Sequence, residues 1–154
     1  MLLQDNIKVR QSGEIMVGIA PQLLVTTGGD ESQLIQMDRF EECLFVIMHG
    51  VAMAGLGTVY QVWETTAVSG ADGSSSSSQL AGKSWVLGSA TGTATTSKVG
   101  LISVRANDLT DGKDVIKIVS VATGSANSST TACVIAVRGG AKYLESGMLT
   151  DCTN

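Results

Sequence analysis

Phe40-Glu41-Glu42-Cys43-Leu44-Phe45-Val46-Ile47-Met48 is the stretch on which the fold turns. Successive side chains of a strand point to opposite faces. Phe40, Leu44, Val46 and Met48 then share one face, and Cys43, Phe45 and Ile47 the other. From Cys43 onward both faces are apolar, whereas a strand with one solvated face alternates apolar with polar residues. One face of this strand is therefore expected in the chain's own core. The other is expected under another element or another subunit, which makes Phe40, Cys43, Leu44, Phe45, Val46 and Ile47 the candidate interface residues. Asp38, Glu41 and Glu42, with Arg39 among them, read as a solvated lead-in to the strand. Paired carboxylates do acid–base chemistry only when buried and close, and no second acidic cluster stands out to join these.

Working outward, Cys43 to Trp63 holds no Asp, Glu, Lys or Arg over 21 residues, long enough to span a bilayer as a helix. His49, Gln61 and three glycines interrupt it, and its flanks are Glu41, Glu42 and Glu64 where a membrane helix favours Lys and Arg. Two strands with a glycine-rich loop over His49–Thr58 explain it better, the second strand being Val59–Glu64; no membrane association is expected. Residues 66–97 change character: 24 of these 32 are Ser, Thr, Gly or Ala, with an unbroken run from Ser74 to Ser78. Such composition suits loops, expected at 69–78 and 88–97 around a short strand carrying Leu80 and Trp85. Lys98–Arg105, Val115–Val121 and Ala132–Arg138 read as further strands, separated by Gly-, Asx- and Ser-rich turns. Gly139-Gly140 is expected to end the last one.

Residues 1–37 are expected to form an N-terminal arm or edge strands, with a short strand after Pro21. Residues 38–142 form the sandwich and residues 143–154 a C-terminal tail. Short strands without helical periodicity predict an all-β protein, an antiparallel β-sandwich or jelly roll. At 154 residues the chain has the length of one domain. Charged residues are only 16%, aromatics 4%, and mean hydropathy is +0.24, which excludes a chain disordered throughout. Net charge is −4, and the ten Lys and Arg are scattered. A nucleic-acid binder carries a basic face, so no nucleic-acid partner is expected.

The chemistry-bearing residues are few. Gly82-Lys83-Ser84 resembles the end of a phosphate loop, but Ser77 stands where that loop needs glycine and Trp85-Val86-Leu87 follows where it needs a helix. His49 is the only histidine, so any serine or cysteine relay would have to use it; a packed or loop histidine is the simpler reading. Cys43 and Cys133 sit in apolar runs and Cys152 near the end, without the short ligand spacings of a zinc site. They read as reduced thiols. Asp108, Asp111 and Asp114 lack the alternate-position ligands of a calcium loop and read as a turn. Asn127-Ser128-Ser129 is formally a sequon, but residues 1–15 do not read as a signal peptide, so no glycosylation is expected. No catalytic residue, cofactor or metal is expected.

From Asp38-Arg39-Phe40 to Ile47, through a glycine-rich turn, Val59-Tyr60-Gln61-Val62-Trp63-Glu64-Thr65, a Ser/Gly/Asp insertion, Lys98–Arg105, a Val/Ile strand and a last strand into Arg138-Gly139-Gly140, the order of segments resembles small virion structural proteins of tailed bacteriophages. The resemblance covers residues 38–142. It implies a β-sandwich that decorates or cements the capsid exterior, assembled in the host cytoplasm, with the major capsid protein as partner; neck and tail positions also occur. The apolar turn His49–Thr58 and the Ser run depart from the pattern, and the family offers no catalytic residues to carry over. The two-sided apolar strand adds a homo-oligomer, dimer or trimer, to the expectation. A β-sandwich receptor- or carbohydrate-binding module is the alternative.

Overall fold

The structure, a computed structural model, describes residues 14–23, 30–50, 57–66, 77–87, 97–123 and 131–141. Nine strands run in chain order: β1 Glu14–Leu23, β2 Asp30–Glu31, β3 Ile35–Gln36, β4 Phe40–His49, β5 Gly57–Thr65, β6 Ser78–Leu87, β7 Lys98–Arg105, β8 Val115–Thr123 and β9 Thr131–Ala141. Among the described residues the one helical element is a 3-10 turn at Ala106–Asp108. Every strand pairing is antiparallel. One sheet runs β1-β9-β4-β7; the other runs β2-β8-β5-β6, with β3 also on β8.

Apart from two-residue β3, the strands pair β1 with β9, β2 with β8, β4 with β7 and β5 with β6. That is one long hairpin, with its tip between β5 and β6, rolled so that successive pairs fall alternately into two facing sheets. The fold is a jelly-roll β-sandwich. The membrane-length apolar run of the sequence is β4 and β5, one in each sheet, and no helix among the described residues is long and apolar enough to cross a membrane.

The core lies between the sheets. Cys43, Phe45 and Ile47 of β4, Ile102 and Val104 of β7, and Val134 and Ala136 of β9 meet Tyr60 and Val62 of β5 and Ile116 and Ile118 of β8. Their alternation along each strand is what a sandwich interior demands. Ile35 and Met37, N-terminal to β4, are buried in the same cluster.

Three expectations need correction. The strand near Pro21 does not begin after it: β1 runs from Glu14 through Pro21 to Leu23. Two register shifts, between Val17 and Ile19 and between Ile19 and Gln22, break the period-2 pattern that would have announced it. Proline fits there because β1 is an edge strand, where a missing N–H costs no ladder bond. Gly139-Gly140 does not end β9, which continues to Ala141. Gly140 stays in the strand at φ +66, a backbone conformation open to glycine. Nor does the loop begin at His49 and run to Thr58, since His49 closes β4 and β5 opens at Gly57. Of the expected loops at 69–78 and 88–97, residues 69–76 and 88–96 lie outside the described residues, as does the tail 143–154, while Ser78 opens β6.

Candidate interaction surface

The period-2 reading of β4 resolves into an inside and an outside. Cys43, Phe45 and Ile47 are fully buried between the sheets, while Leu44 and Val46 are half-buried on the outer face and Met48 is exposed there. Phe40 departs from its expected face. Instead of joining Leu44 and Val46 it is buried, with the Arg138 guanidinium 4.1 Å from its ring centroid. Arg138 occupies an inward position of β9, opposite Cys43, and reaches out of the core end to donate from Nη1 to the Gln36 carbonyl at 2.7 Å. Phe40 closes over it, a cation–π contact.

The outer face of the four-stranded sheet is built in rows by the register. Ile15, Val137, Leu44 and Ser103 form one row and Val17, Ile135, Val46 and Leu101 the next. Cys133, Met48 and Val99 form a third. Ile15 is 75% exposed, Val99 68%, Leu101 63%, Val17 59% and Met48 40%. No charged side chain stands in these three rows. Beyond Leu44 the next row holds Gly139, Glu42 and Arg105, the last two opposite one another and both exposed. At the far end a shallow depression of about 300 Å³ lies among Met48, Lys98, Val99 and Cys133. The outer face of the other sheet is mixed: it carries exposed Val86 and Val121 on either side of Val59, then Gln61, and Lys117 paired with Glu31 at 2.8 Å.

Both edges of the four-stranded sheet are guarded. β1 has its register shifts and Pro21. Over β7, a bulge in β6 marked by Gly82 at φ +72 brings Lys83 across to the Ser103 carbonyl at 2.9 Å and the Asp108 carboxylate at 2.7 Å. Further along, on the inner side of β7, the Trp85 ring lies against Gly100 and leaves no room there for a Cβ. Interrupted or occupied edges template added strands poorly.

The other candidates resolve into structural roles. His49 is buried; its Nδ1 shares a 2.8 Å hydrogen bond with the Tyr60 hydroxyl and its Nε2 has no partner. Burial lowers its pKa below the usual histidine value. Tyr60 in turn stacks on Trp85 at 5.6 Å between centroids. Burial pushes the Cys43 thiol up to about 12, the Arg138 charge offsetting part of the effect, so the sulfur stays protonated. Asp38, Glu41 and Glu42 are exposed. Asp108 is held low by Lys83 and by the Arg105 backbone N–H, and it closes the 3-10 turn. No group of three or more His, Cys, Asp or Glu among the described residues is placed to share a metal.

Sequence reasoning missed Glu64. It is buried at an inward position of β5, after Tyr60 and Val62. The Thr110 backbone N–H donates to it at 2.9 Å, the Thr110 hydroxyl at 2.7 Å, and Lys113 Nζ and the Ser78 hydroxyl each at 3.1 Å. Lys113 also bonds the Ser78 hydroxyl. Burial alone would raise the carboxyl, but the donors from Thr110, Lys113 and Ser78 outweigh it and hold the pKa at about 2. The available signal was parity: a carboxylate at a core position of an apolar strand must find donors.

No protein-family model matches this chain, and no curated protein matches it. Among solved structures it is similar to a chain in the structure of infectious bursal disease virus Gt strain, at 16% identity and a TM-score of 0.42. A chain in the structure of the Gx strain is similar at 13% identity and a TM-score of 0.47. Each match covers 86% of this chain but 34% and 33% of those chains, so this chain spans about a third of their length.

Proposed function

We propose that this chain is a non-enzymatic virion structural protein of the capsid decoration or cement type, which binds the major capsid protein on the particle exterior and stabilises the shell. The observation that carries this reading is the uncharged outer face of the β1-β9-β4-β7 sheet. A sandwich that has closed its core and guarded its sheet edges yet leaves three apolar rows in water is built to be covered by protein. Jelly rolls serve capsids, lectins and cupins alike, so the surface decides. A flat aliphatic face without an aromatic or hydrogen-bonding cleft suits packing against protein better than binding a sugar. The order of segments over 38–142, which resembles small virion proteins of tailed bacteriophages, points the same way. An acidic chain also suits the outside of a shell better than its DNA-facing interior.

Quantitative mass spectrometry of purified particles, from the source that carries this gene, tests the reading. Copies on the order of hundreds per particle are expected for a shell component under closed icosahedral symmetry. A dozen or fewer would move the protein to the neck or tail, and its absence from particles would overturn the virion role.

A further inference from the structure

We propose that the outer face of the β1-β9-β4-β7 sheet is where a second copy of this chain docks, sheet face to sheet face across a two-fold axis. This deepens the reading of that face as one covered by protein, and rests on it: the second copy covers the face in the free protein and gives way to the major capsid protein on the particle. Four observations select a second copy.

β1 is interrupted by register shifts and Pro21, and on β7 Lys83 occupies the Ser103 carbonyl, so neither edge offers a partner strand a regular ladder along its length. The face is the larger apolar surface. Sheets pack face to face about 10 Å apart through interdigitating aliphatic side chains. Ile15, Val17, Leu101 and Val99, on the two outer strands, are the most exposed, with half-buried Leu44, Val46, Ile135 and Val137 between them, an aliphatic face of the kind such packing joins.

Charge is the second selection. A chain of net charge −4 repels its own copies unless the contact is free of like charges, and the three apolar rows hold none. Where charge does appear, at the end row, Glu42 of β4 and Arg105 of β7 are opposite one another in register. Each copy therefore brings a carboxylate and a guanidinium side by side to that row, which adds no net like charge to the contact. A polar rim around an apolar centre is the usual anatomy of a protein interface.

Area is the third. Four strands about 4.8 Å apart and three rows about 6.8 Å apart make a face of about 400 Å², or about 500 Å² with the charged row. Two such faces together bury about 1,000 Å², the lower bound for a specific interface. The dimer is therefore reversible and concentration-dependent. The contrast with the other sheet is the fourth: its outer face carries one apolar row, Val121, Val59 and Val86, beside Gln61 and the Lys117–Glu31 pair, so the larger uncharged face is the one a second copy covers.

Sedimentation equilibrium of the full chain, from about 1 to about 200 µM, tests the proposal. The weight-average mass is expected to rise from 15.9 kDa toward twice that value, without dissociation in 1 M salt, since screening does not weaken an apolar contact. Leu101→Asp and Val17→Asp are expected to remain folded by circular dichroism and to stay monomeric throughout. Cys133, half-buried in the third row, gives a readout without any change in the face. In a Cys152→Ser chain, with Cys43 closed in the core, its alkylation is expected to slow as protein concentration rises. A monomer at the highest concentration overturns the proposal, as do aspartate variants that dimerise like the parent. Cys133 protection that is independent of concentration also overturns it, because the chain's own remaining residues would then cover the face. Should the aspartate variants not fold, the Cys133 rates decide. A monomer found in particles refutes this dimer and leaves the virion role standing; a dimer absent from particles does the reverse.

Discussion

Glu64 shows how one carboxylate ties together segments that the sequence keeps apart. Its donors come from the start of β6, from Thr110 after the 3-10 turn and from Lys113 before β8, lying 14, 46 and 49 residues away. Removing it leaves the Lys113 ammonium and the Thr110 N–H without their acceptor, so Glu64→Ala is expected to cost about 2–4 kcal/mol in urea denaturation. Its pKa of about 2 in the fold lies below the 4.5 of an unperturbed glutamate. The stability it contributes is therefore complete above pH 4.5 and is lost as the pH falls from there toward 2. The loss is about 3 kcal/mol, and Glu64→Gln is expected to flatten that part of the pH profile relative to the parent. His49 acts at higher pH. Its folded pKa is lowered from 6.5 by burial, so stability is complete above pH 6.5 and falls as the pH drops below it, where only the unfolded chain takes up the proton. Melting temperatures at pH 7 and pH 5 are expected to differ more for the parent than for His49→Gln. Neither role was legible as a site. Glu64 reads as the end of an aromatic strand and His49 as a packed or loop residue, and their partners stay hidden because they are distant in sequence and only the rolled hairpin brings them close.

At the scale of the element, strands were legible where alternation is regular and long. β7 was read at its observed bounds, Lys98–Arg105, and β4, β5, β8 and β9 were read with ends one to three residues off. β1 was not legible, since two register shifts and a proline scramble its period. β2 and β3, two residues each, are too short to carry a pattern and owe their conformation to β8. The β6–β7 corner carries a prediction of its own. Trp85 stacks on Tyr60 in one sheet and covers Gly100 in the other, so the indole is a wedge between them. Gly100→Ala drives a methyl into the ring and is expected to cost about 1–3 kcal/mol, the range for an overpacked core. Tryptophan fluorescence should shift to the red as the ring is displaced toward water. An unshifted spectrum at full stability would mean the corner is looser than the contact implies.

For the whole molecule, a sandwich was legible, and so was the apolar character of both faces of β4. Which face of β4 looks inward was not. Strand alternation is symmetric, and only the sheet order, with β9 and β7 flanking β4, sets Cys43, Phe45 and Ile47 against the opposing sheet. The same order carries Leu44 and Val46 into line with Val17, Ile135 and Leu101, making one surface from residues up to about 120 positions apart. The account therefore stands on two neighbours, Leu44 and Phe45, having opposite environments. Thermal unfolding of Leu44→Asp beside Phe45→Asp, followed by circular dichroism, measures this most directly. Phe45→Asp buries an unpaired charge and is predicted to abolish the cooperative transition. Leu44→Asp is predicted to keep a cooperative transition within several degrees of the parent monomer, its charge standing on the water side of the sheet. A folded Phe45→Asp, or a Leu44→Asp that unfolds as completely, would contradict it.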